Sequence, residues 1–372
     1  MIPVAKPRIG VKEKEYVLSA IESGELSGNF GSYIGQFEEE FAKFCAVDHA
    51  VAVSNGTAAL HLAVASLGIG LGDEVIVQTL TNMATAFAVS YVGAIPVPVD
   101  IEPKTWNINP SLIQAKITKK TKAIIVVHLF GHPVDMDPVL KIARANGLFV
   151  IEDCAEAHGA KYKNKLVGGL GDIGCFSFYA NKIITTGEGG MITTNNPILF
   201  AKIKAMKSLG YGTGKSKFNH DLIGYNYRMP NVIAAIGCAQ MKLIEENIEK
   251  KRWIAEQYNI RLTKYAELQL PVEEKYAKSV YWMYHINLKG RLEGLREKFM
   301  CSLKMLGVET RESFWPLNGQ KVYLDQGIVF HSDCPNANNV GVNGLYLPSG
   351  PVITLEEIET VVSALEKASR DV

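Results

Sequence analysis

The chain has 372 residues, 47% of them hydrophobic and 21% charged, with a formal net charge of +1. That is the balance of a soluble globular protein long enough for two domains. It lacks the basic excess that would point to nucleic acid or an anionic membrane. The six cysteines, at 45, 154, 175, 238, 301 and 334, include no CxxC pair, so neither a zinc site nor a redox motif is expected. The opening "MIPVAKPRIG" has no signal-peptide core, and no apolar run is long enough to span a bilayer. A reducing cytoplasm is the expected location.

In chain order, residues 12–23 and 36–47 carry apolar residues at three- and four-residue spacing and read as helices. "AVAVSNGTAALHLAVASLGI", from Ala50, reads as a short buried strand, a Ser-Asn-Gly-Thr turn and a helix opening at Thr57. Strands are expected over 72–80, 95–101, 121–131, 148–155 and 173–180. Helical segments such as "MATAFAVSYVGA" and "PVLKIARANG" lie between them. Strands alternating with helices predict an α/β fold with a mostly parallel sheet, helices on both faces and ligands at the carboxyl ends of the strands. From residue 241 the texture changes: "MKLIEENIEKKRWIAEQYNIRLTKY" reads as one long amphipathic helix, followed by the strand-like "YWMYHINLK". A large domain over 12–242 and a smaller α/β domain over 243–372 are expected, with residues 1–11 packing on the smaller one.

Three motifs fall at expected strand ends. In "FSFYANKIITTGEGG", Lys182 stands alone among aromatics, threonines and glycines. A desolvated lysine loses basicity and becomes a better nucleophile toward carbonyls, which suits a Schiff base. In "VIEDCAEAHG", Asp153 ends a strand. It reads either as a helix cap or as the carboxylate that keeps a pyridine nitrogen protonated. In "SNGTAALHL", a Gly-Thr turn opening a helix offers N–H groups and a positive dipole end to a phosphate. The same turn also reads as simple capping by Ser54 or Asn55. Ser177, five residues before Lys182, adds a hydroxyl for the same anion.

Phosphate cradle, ring-nitrogen acid and Schiff-base lysine follow one another along an α/β chain. The sequence resembles the DegT/DnrJ/EryC1/StrS family of pyridoxal-phosphate-dependent sugar aminotransferases. The resemblance runs through "SNGTAALHLA", "GHPVDMD", "VIEDCAEAHGA", "FSFYANKIITTGEGGM" and "IGYNYRM". It implies fold type I, the aspartate aminotransferase fold, with pyridoxal 5'-phosphate (PLP) as cofactor. It implies that Lys182 is the Schiff-base lysine and proton shuttle, and that Asp153 pairs with the pyridine nitrogen. Gly56, Thr57 and Ser177 are then expected to hold the phosphate, and Glu156 to flank the 3-hydroxyl, where Gln is more usual. Asn226 is expected to reach the phosphate of a second subunit in a homodimer with shared sites, with Arg228 near that interface. The implied reaction moves an amino group from L-glutamate to a nucleotide-linked keto sugar, for a cell-surface polysaccharide. Within the family, the nearest likeness is to members that aminate the C4 keto group of GDP-4-keto-6-deoxymannose.

Two positions depart from the family pattern. Asn82 stands where an aromatic usually stacks on the ring, with Phe87 five positions on. Asn318, in "RESFWPLNGQ", stands where a His near the sugar is common. His158, Arg228, Glu188 and Asn318 complete the expected substrate contacts, although His158 also reads as a hydrogen-bonded structural histidine. His128 and His132 have metal-like spacing but no third ligand, and no metal is expected. Three alternatives remain beside this reading. One is amination of a different keto sugar or of a small phosphorylated ketone. Another is a non-catalytic sensor on the same fold, which an intact Lys/Asp/phosphate set opposes. The third is a 3-dehydratase, which would carry His in place of Lys182.

Overall fold

The computed structural model describes residues 1–211, 218–328 and 334–372. Its centre is a seven-stranded sheet with the order β1-β9-β8-β5-β4-β2-β3. In chain order the first nine strands are β1 (His49–Val53), β2 (Glu74–Gln78), β3 (Ile95–Val99), β4 (Thr121–Val127), β5 (Phe149–Asp153), the two-residue β6 (Lys161–Tyr162) and β7 (Lys165–Leu166), β8 (Ile173–Ser177) and β9 (Gly190–Thr194). The pairs β3–β2, β2–β4, β4–β5 and β5–β8 are parallel. Strand β9 runs antiparallel to both neighbours, β1 and β8. It was not legible as a strand beforehand. Because β9 reverses the direction twice, β1 still points the same way as β5 and β8. The carboxyl ends carrying Asn55, Asp153 and Ser177 therefore meet at one edge.

The central strands are near-continuous apolar runs because helices cover both faces. Helix α1 spans Val11–Glu22 and α2 spans Ser32–Cys45; α2 buries Phe37, Phe41 and Cys45, one stripe at four-residue spacing. Helices α3 (Gly56–Ser66) and α4 (Ala84–Tyr91) are apolar on nearly every side and lie buried. The long helix expected over 241–265 is present, and a separate helix precedes it. The earlier one spans Asn231–Met241, and the long one runs Ile244–Leu262. The first packs small residues against α2: a Cβ on Gly237 would sit 2.6 Å from the Phe37 ring. The bend at Lys242–Leu243 frees the second helix to cover a different sheet.

That second sheet is antiparallel, ordered β10 (Leu268–Gln269), β12 (Tyr284–Leu288), β14 (Gly344–Leu347), β13 (Arg311–Glu312). Tyr258, Leu262, Phe299, Leu345 and Leu365 fill its core. A third ribbon pairs β11 (Ala277–Lys278) with β6 and β7, so the chain beyond residue 243 is stitched back onto the first part. The N-terminal residues run beside the second sheet: Ile2 bridges Val308, and the Ser349 amide donates to the Val4 carbonyl. Among the described residues no helix is long and apolar enough to cross a membrane.

Candidate active site

At the edge where β1, β5 and β8 end lies a cleft of about 1160 Å³. Gly56, Thr57, Asn82, Asp153, Glu156, Ser177, Lys182 and Glu188 all line it. Its far wall comes from the second sheet and its approaches, including Trp282, Arg311, Phe314 and Tyr346.

The floor is the start of α3. Asn55, not Ser54, is the cap: its side-chain oxygen accepts from the Ala58 amide at 2.8 Å. The helix therefore opens one residue earlier than expected, at Gly56, and its first N–H groups have no acceptor within the helix. A side chain at Gly56 would collide with Ser177, its Cβ falling 2.7 Å from the Ser177 Cβ. Only glycine lets the helix start sit against the end of β8. The hydroxyls of Thr57 and Ser177 then flank one helix N-terminus, a ready place for a phosphate.

Asp153 is buried at the end of β5. One carboxylate oxygen accepts from the Thr85 hydroxyl at 2.7 Å and the other from the Ala155 amide at 3.1 Å. Thr85 is in turn linked to Thr81 at 3.1 Å. Burial raises the Asp153 pKa, and these hydrogen bonds and Lys182 only partly oppose it. The site thus holds a carboxylate short of positive charge, which suits a cationic ring nitrogen. Thr85 was missed in the sequence; its one signal is a hydroxyl in the first turn of a mostly apolar helix.

Glu156 is also buried, with the Phe130 amide donating to it at 2.8 Å. Phe130 takes a left-handed backbone, φ 54°, to aim that amide, and Gly131 follows at φ 93°. Burial is the main cause that raises Glu156 to about 7; Asp153 adds to it, while Lys182 and the Phe130 amide act the other way. Lys182 is recessed in the cleft, and burial lowers its pKa against the opposing pull of Glu156 and Asp153. Its Nζ lies 4.0 Å from the centroid of the Trp282 ring. Asn181 Oδ1 and the Tyr346 hydroxyl, both on the cleft wall, are buried without a hydrogen-bond partner. An anion cradle, an under-compensated acid, a softened lysine and unfilled polar atoms on one cleft are what PLP requires, and the residues fit it.

Four expected contacts lie elsewhere. His158 packs among Phe41, Phe176 and Phe178 at the back of the Ser177 end of β8. Burial, with Lys182 adding to it, pushes it down to about 3, so it stays neutral. It is a buried structural histidine and does not line the cleft. Asn318 is fully buried, bonded to the Thr79 hydroxyl and the Asn338 side chain, each at 3.0 Å, and does not line the cleft. The cause is the Leu317–Gly319 turn, pinned by the Leu317 amide to the Thr79 carbonyl at the end of β2. Arg228 does not line the cleft of its own chain; it donates to Ser208 Oγ at 3.2 Å. Asn226 is exposed on the same strip beside β1. Asn82 does line the cleft, but its oxygen is engaged by the Ala84 amide at 3.0 Å. Phe87 packs near Tyr91 and Tyr323 and gives no ring to the cleft.

The histidines of the loop after β4 are structural. His128 Nδ1 accepts from the Val134 amide at 3.0 Å, so Nε2 carries the proton and donates to Glu152 at 3.1 Å. His132 bonds the Pro133 carbonyl and the Glu274 amide. His128, Glu152 and Cys154 lie close enough to hold a metal ion. Their lone pairs are already spent on the fold, however, and burial holds the Cys154 thiol well above its usual range.

A buried lysine, an under-compensated acid and an anion cradle on this sheet fit a PLP-dependent aminotransferase of fold type I, the class to which the similar solved structures and the family belong. The solved aminotransferase from Psychrobacter cryohalolentis superposes with a TM-score of 0.92 at 32% identity, covering 98% of each chain. The 3-amino-5-hydroxybenzoic acid synthase does so with a TM-score of 0.94 at 27% identity, over 100% of this chain and 99% of that one. The model of the DegT/DnrJ/EryC1/StrS aminotransferase family matches residues 7–366, and the chain belongs to that family. Among curated relatives, the GDP-perosamine synthase of Escherichia coli O157:H7 is 43% identical over 370 residues, 100% of this chain and 99% of that protein. That of Caulobacter vibrioides is 42% identical, over 98% of each.

Proposed function

We propose that this aminotransferase moves an amino group from L-glutamate to the C4 keto group of a GDP-linked 6-deoxy sugar; three of its relatives are named GDP-perosamine synthase. The observation that carries the acceptor class is identity of 38–43% along essentially the whole chain to three proteins of that name. The product would serve a cell-surface polysaccharide such as an O-antigen, and the work would be done in the cytoplasm. The chain divides for this purpose at the bend near residue 242, the second part closing the cleft over the first.

Bound PLP supplies an electron sink for the bond broken at the donor's α carbon. The α3 N-terminus, with Thr57 and Ser177, would hold its phosphate. Asp153 keeps the ring nitrogen protonated; its own burial makes that pairing favourable, since it gains the opposite charge it lacks. Lys182 anchors the cofactor and then, once detached, takes the α proton at Nζ and gives it up again. Burial lowers its pKa, which favours the free amine that attack on a carbonyl needs. Glu156 interacts with Lys182 across the cleft and would flank the 3-hydroxyl of the bound cofactor. Asn226 and Arg228, away from their own cleft, would serve the site of a second copy in a homodimer with shared sites. Glu188, on the open side of the cleft, is left to meet substrate. Half-reactions that share one site predict ping-pong kinetics.

The test is direct. Enzyme, PLP and L-glutamate are incubated with GDP-4-keto-6-deoxymannose or with dTDP- and UDP-linked 4-keto sugars, and products are identified by mass spectrometry. Amination of the GDP sugar in preference to the others is expected. Amination of only another nucleotide sugar, or of a small phosphorylated ketone, would overturn the acceptor assignment while leaving the reaction class standing.

A further inference from the structure

Trp282 takes no part in the chemistry described above, yet the Lys182 Nζ stands over its ring, 4.0 Å from the centroid. It comes from the strand-like approach to β12, 100 residues beyond Lys182, and is 4% exposed. Two hydrogen bonds fix it from opposite sides. Its indole N–H donates to the Asn181 carbonyl at 2.8 Å, so the ring is tied to the residue that immediately precedes the lysine. Its own carbonyl accepts from Lys251 Nζ at 2.6 Å.

Lys251 is an unusual anchor. It is 1% exposed, on the helix Ile244–Leu262, and its Nζ also donates to the Ser349 carbonyl at 2.6 Å. Burial pushes it down to about 7. A neutral amine has two N–H groups, and two carbonyls receive them, so the anchor works without a buried counter-ion. The main chain of Trp282 is further confined by Gly131, whose absent side chain would fall 2.8 Å from the Trp282 amide nitrogen. Ring and amine are therefore held in fixed relation by groups from three parts of the chain.

We propose that Trp282 is a positioning residue: its indole face receives the Lys182 amine as an ammonium ion when that amine is detached from the cofactor and carries the substrate's α proton. The inference rests on the aminotransferase reading of Lys182. The chemistry asks for it. A lysine must be deprotonated to attack and must be basic enough to take a proton from carbon. Burial lowers its basicity, while Asp153 and Glu156 restore some of it. Both carboxyl groups have other partners in the loaded site, the ring nitrogen and the 3-hydroxyl. His158, the remaining titratable group near the lysine, stays neutral and offers no compensation. A π face attracts the ammonium without competing for the cofactor. It offers no acceptor lone pair, so it does not hold the proton back when the amine returns it. The proton balance is simple: one proton moves from the donor's α carbon to Nζ, rests there over the ring, and leaves again, regenerating the neutral amine.

The test uses cofactor-free protein first. Competitive acetylation across a pH series, with the Lys182 peptide quantified by mass spectrometry, gives the titration midpoint of that one amine. Trp282→Leu is expected to lower the midpoint by roughly half to one pH unit, and Trp282→Phe to keep most of the wild-type value. Replacing the chain's tryptophans with mono- and difluorotryptophan empties the π face at constant shape. The Lys182 midpoint should then fall stepwise with fluorination, a readout that survives even if Trp282→Leu fails to fold. In loaded enzyme, a single turnover with α-deuterated glutamate should show a larger isotope effect in Trp282→Leu than in wild type, at unchanged PLP affinity. An unmoved midpoint along the fluorine series would overturn the proposal. So would Trp282→Phe behaving like Trp282→Leu, which would assign the effect to the indole N–H and Asn181. These labelling results are independent of any acceptor, so they fail or succeed separately from the proposed reaction.

Discussion

Glu152 and Asp153 are adjacent on β5 and both buried, yet they sit in opposite circumstances. Alternation along the strand turns Glu152 away from the cleft and Asp153 into it. Glu152 accepts from the amides of Gly168, Leu170 and Gly171 and from the His128 ring. Asp153 has one hydroxyl and one amide. The first carboxylate is fully used by the fold. The second is left short, and burial raises its pKa because its two hydrogen bonds only partly oppose it. Burial alone does not mark a functional acid. A buried acid whose partners are too few, on a cleft, does.

The same chemical change at both positions sharpens this contrast. Asp153→Asn keeps both hydrogen bonds, since the Thr85 hydroxyl can reverse its role. We expect the melting temperature to move by no more than about 2 °C and the transamination rate to fall by on the order of 10²–10³. Glu152→Gln instead turns an amide NH₂ toward donors. We expect roughly 2–4 kcal/mol of lost stability in urea melts. Turnover per folded molecule should stay close to wild type. If Asp153→Asn destabilises like Glu152→Gln and leaves kcat unchanged, Asp153 is only structural.

A smaller effect is expected from Glu156. Its folded pKa, about 7, lies above its ordinary value of 4.5. The folded state therefore holds a proton that the unfolded state has lost. Stability from this group is complete below about pH 4.5 and declines as pH rises through about 7, by at most about 1.4 kcal/mol per pH unit. Cofactor-free Glu156→Gln should show a flatter fall in stability over that window than wild type, read by urea titrations at several pH values. A parallel pH dependence in the two proteins would contradict the assignment. Smallest of all, Asn318→Ala should cost about 1–2 kcal/mol of stability through its lost buried hydrogen bonds. It should leave the acceptor KM within about twofold of wild type, because Asn318 lies behind the cleft wall; a large rise in KM would contradict that placement.

Much of this was legible in the sequence because the central motifs are local. Strand, turn and helix start come together within "VSNGTAAL", and within "VIEDCAEAHG" the acid that ends β5 is visible directly. The parallel alternation of strands and helices placed those motifs at one sheet edge. What was not legible is what depends on distant chain. Strand β9 is antiparallel only through its neighbours. Thr85 matters because it meets Asp153, 68 residues on, and Trp282 because it meets Lys182, 100 residues back. His158 and Asn318 were misplaced for the same reason. Each lies near the right segment, but its direction is set by packing: three phenylalanine rings for one, the Thr79 tether for the other.

The most direct test of the central claim is the absorption spectrum of purified protein titrated with PLP, before and after L-glutamate, beside Lys182→Ala. We predict a visible band that forms in the wild type, is bleached by glutamate, and fails to form in its wild-type position in Lys182→Ala. A wild-type protein that never develops the band, or one whose band glutamate leaves untouched while Lys182→Ala behaves identically, would contradict the assignment of this cleft as an aminotransferase site.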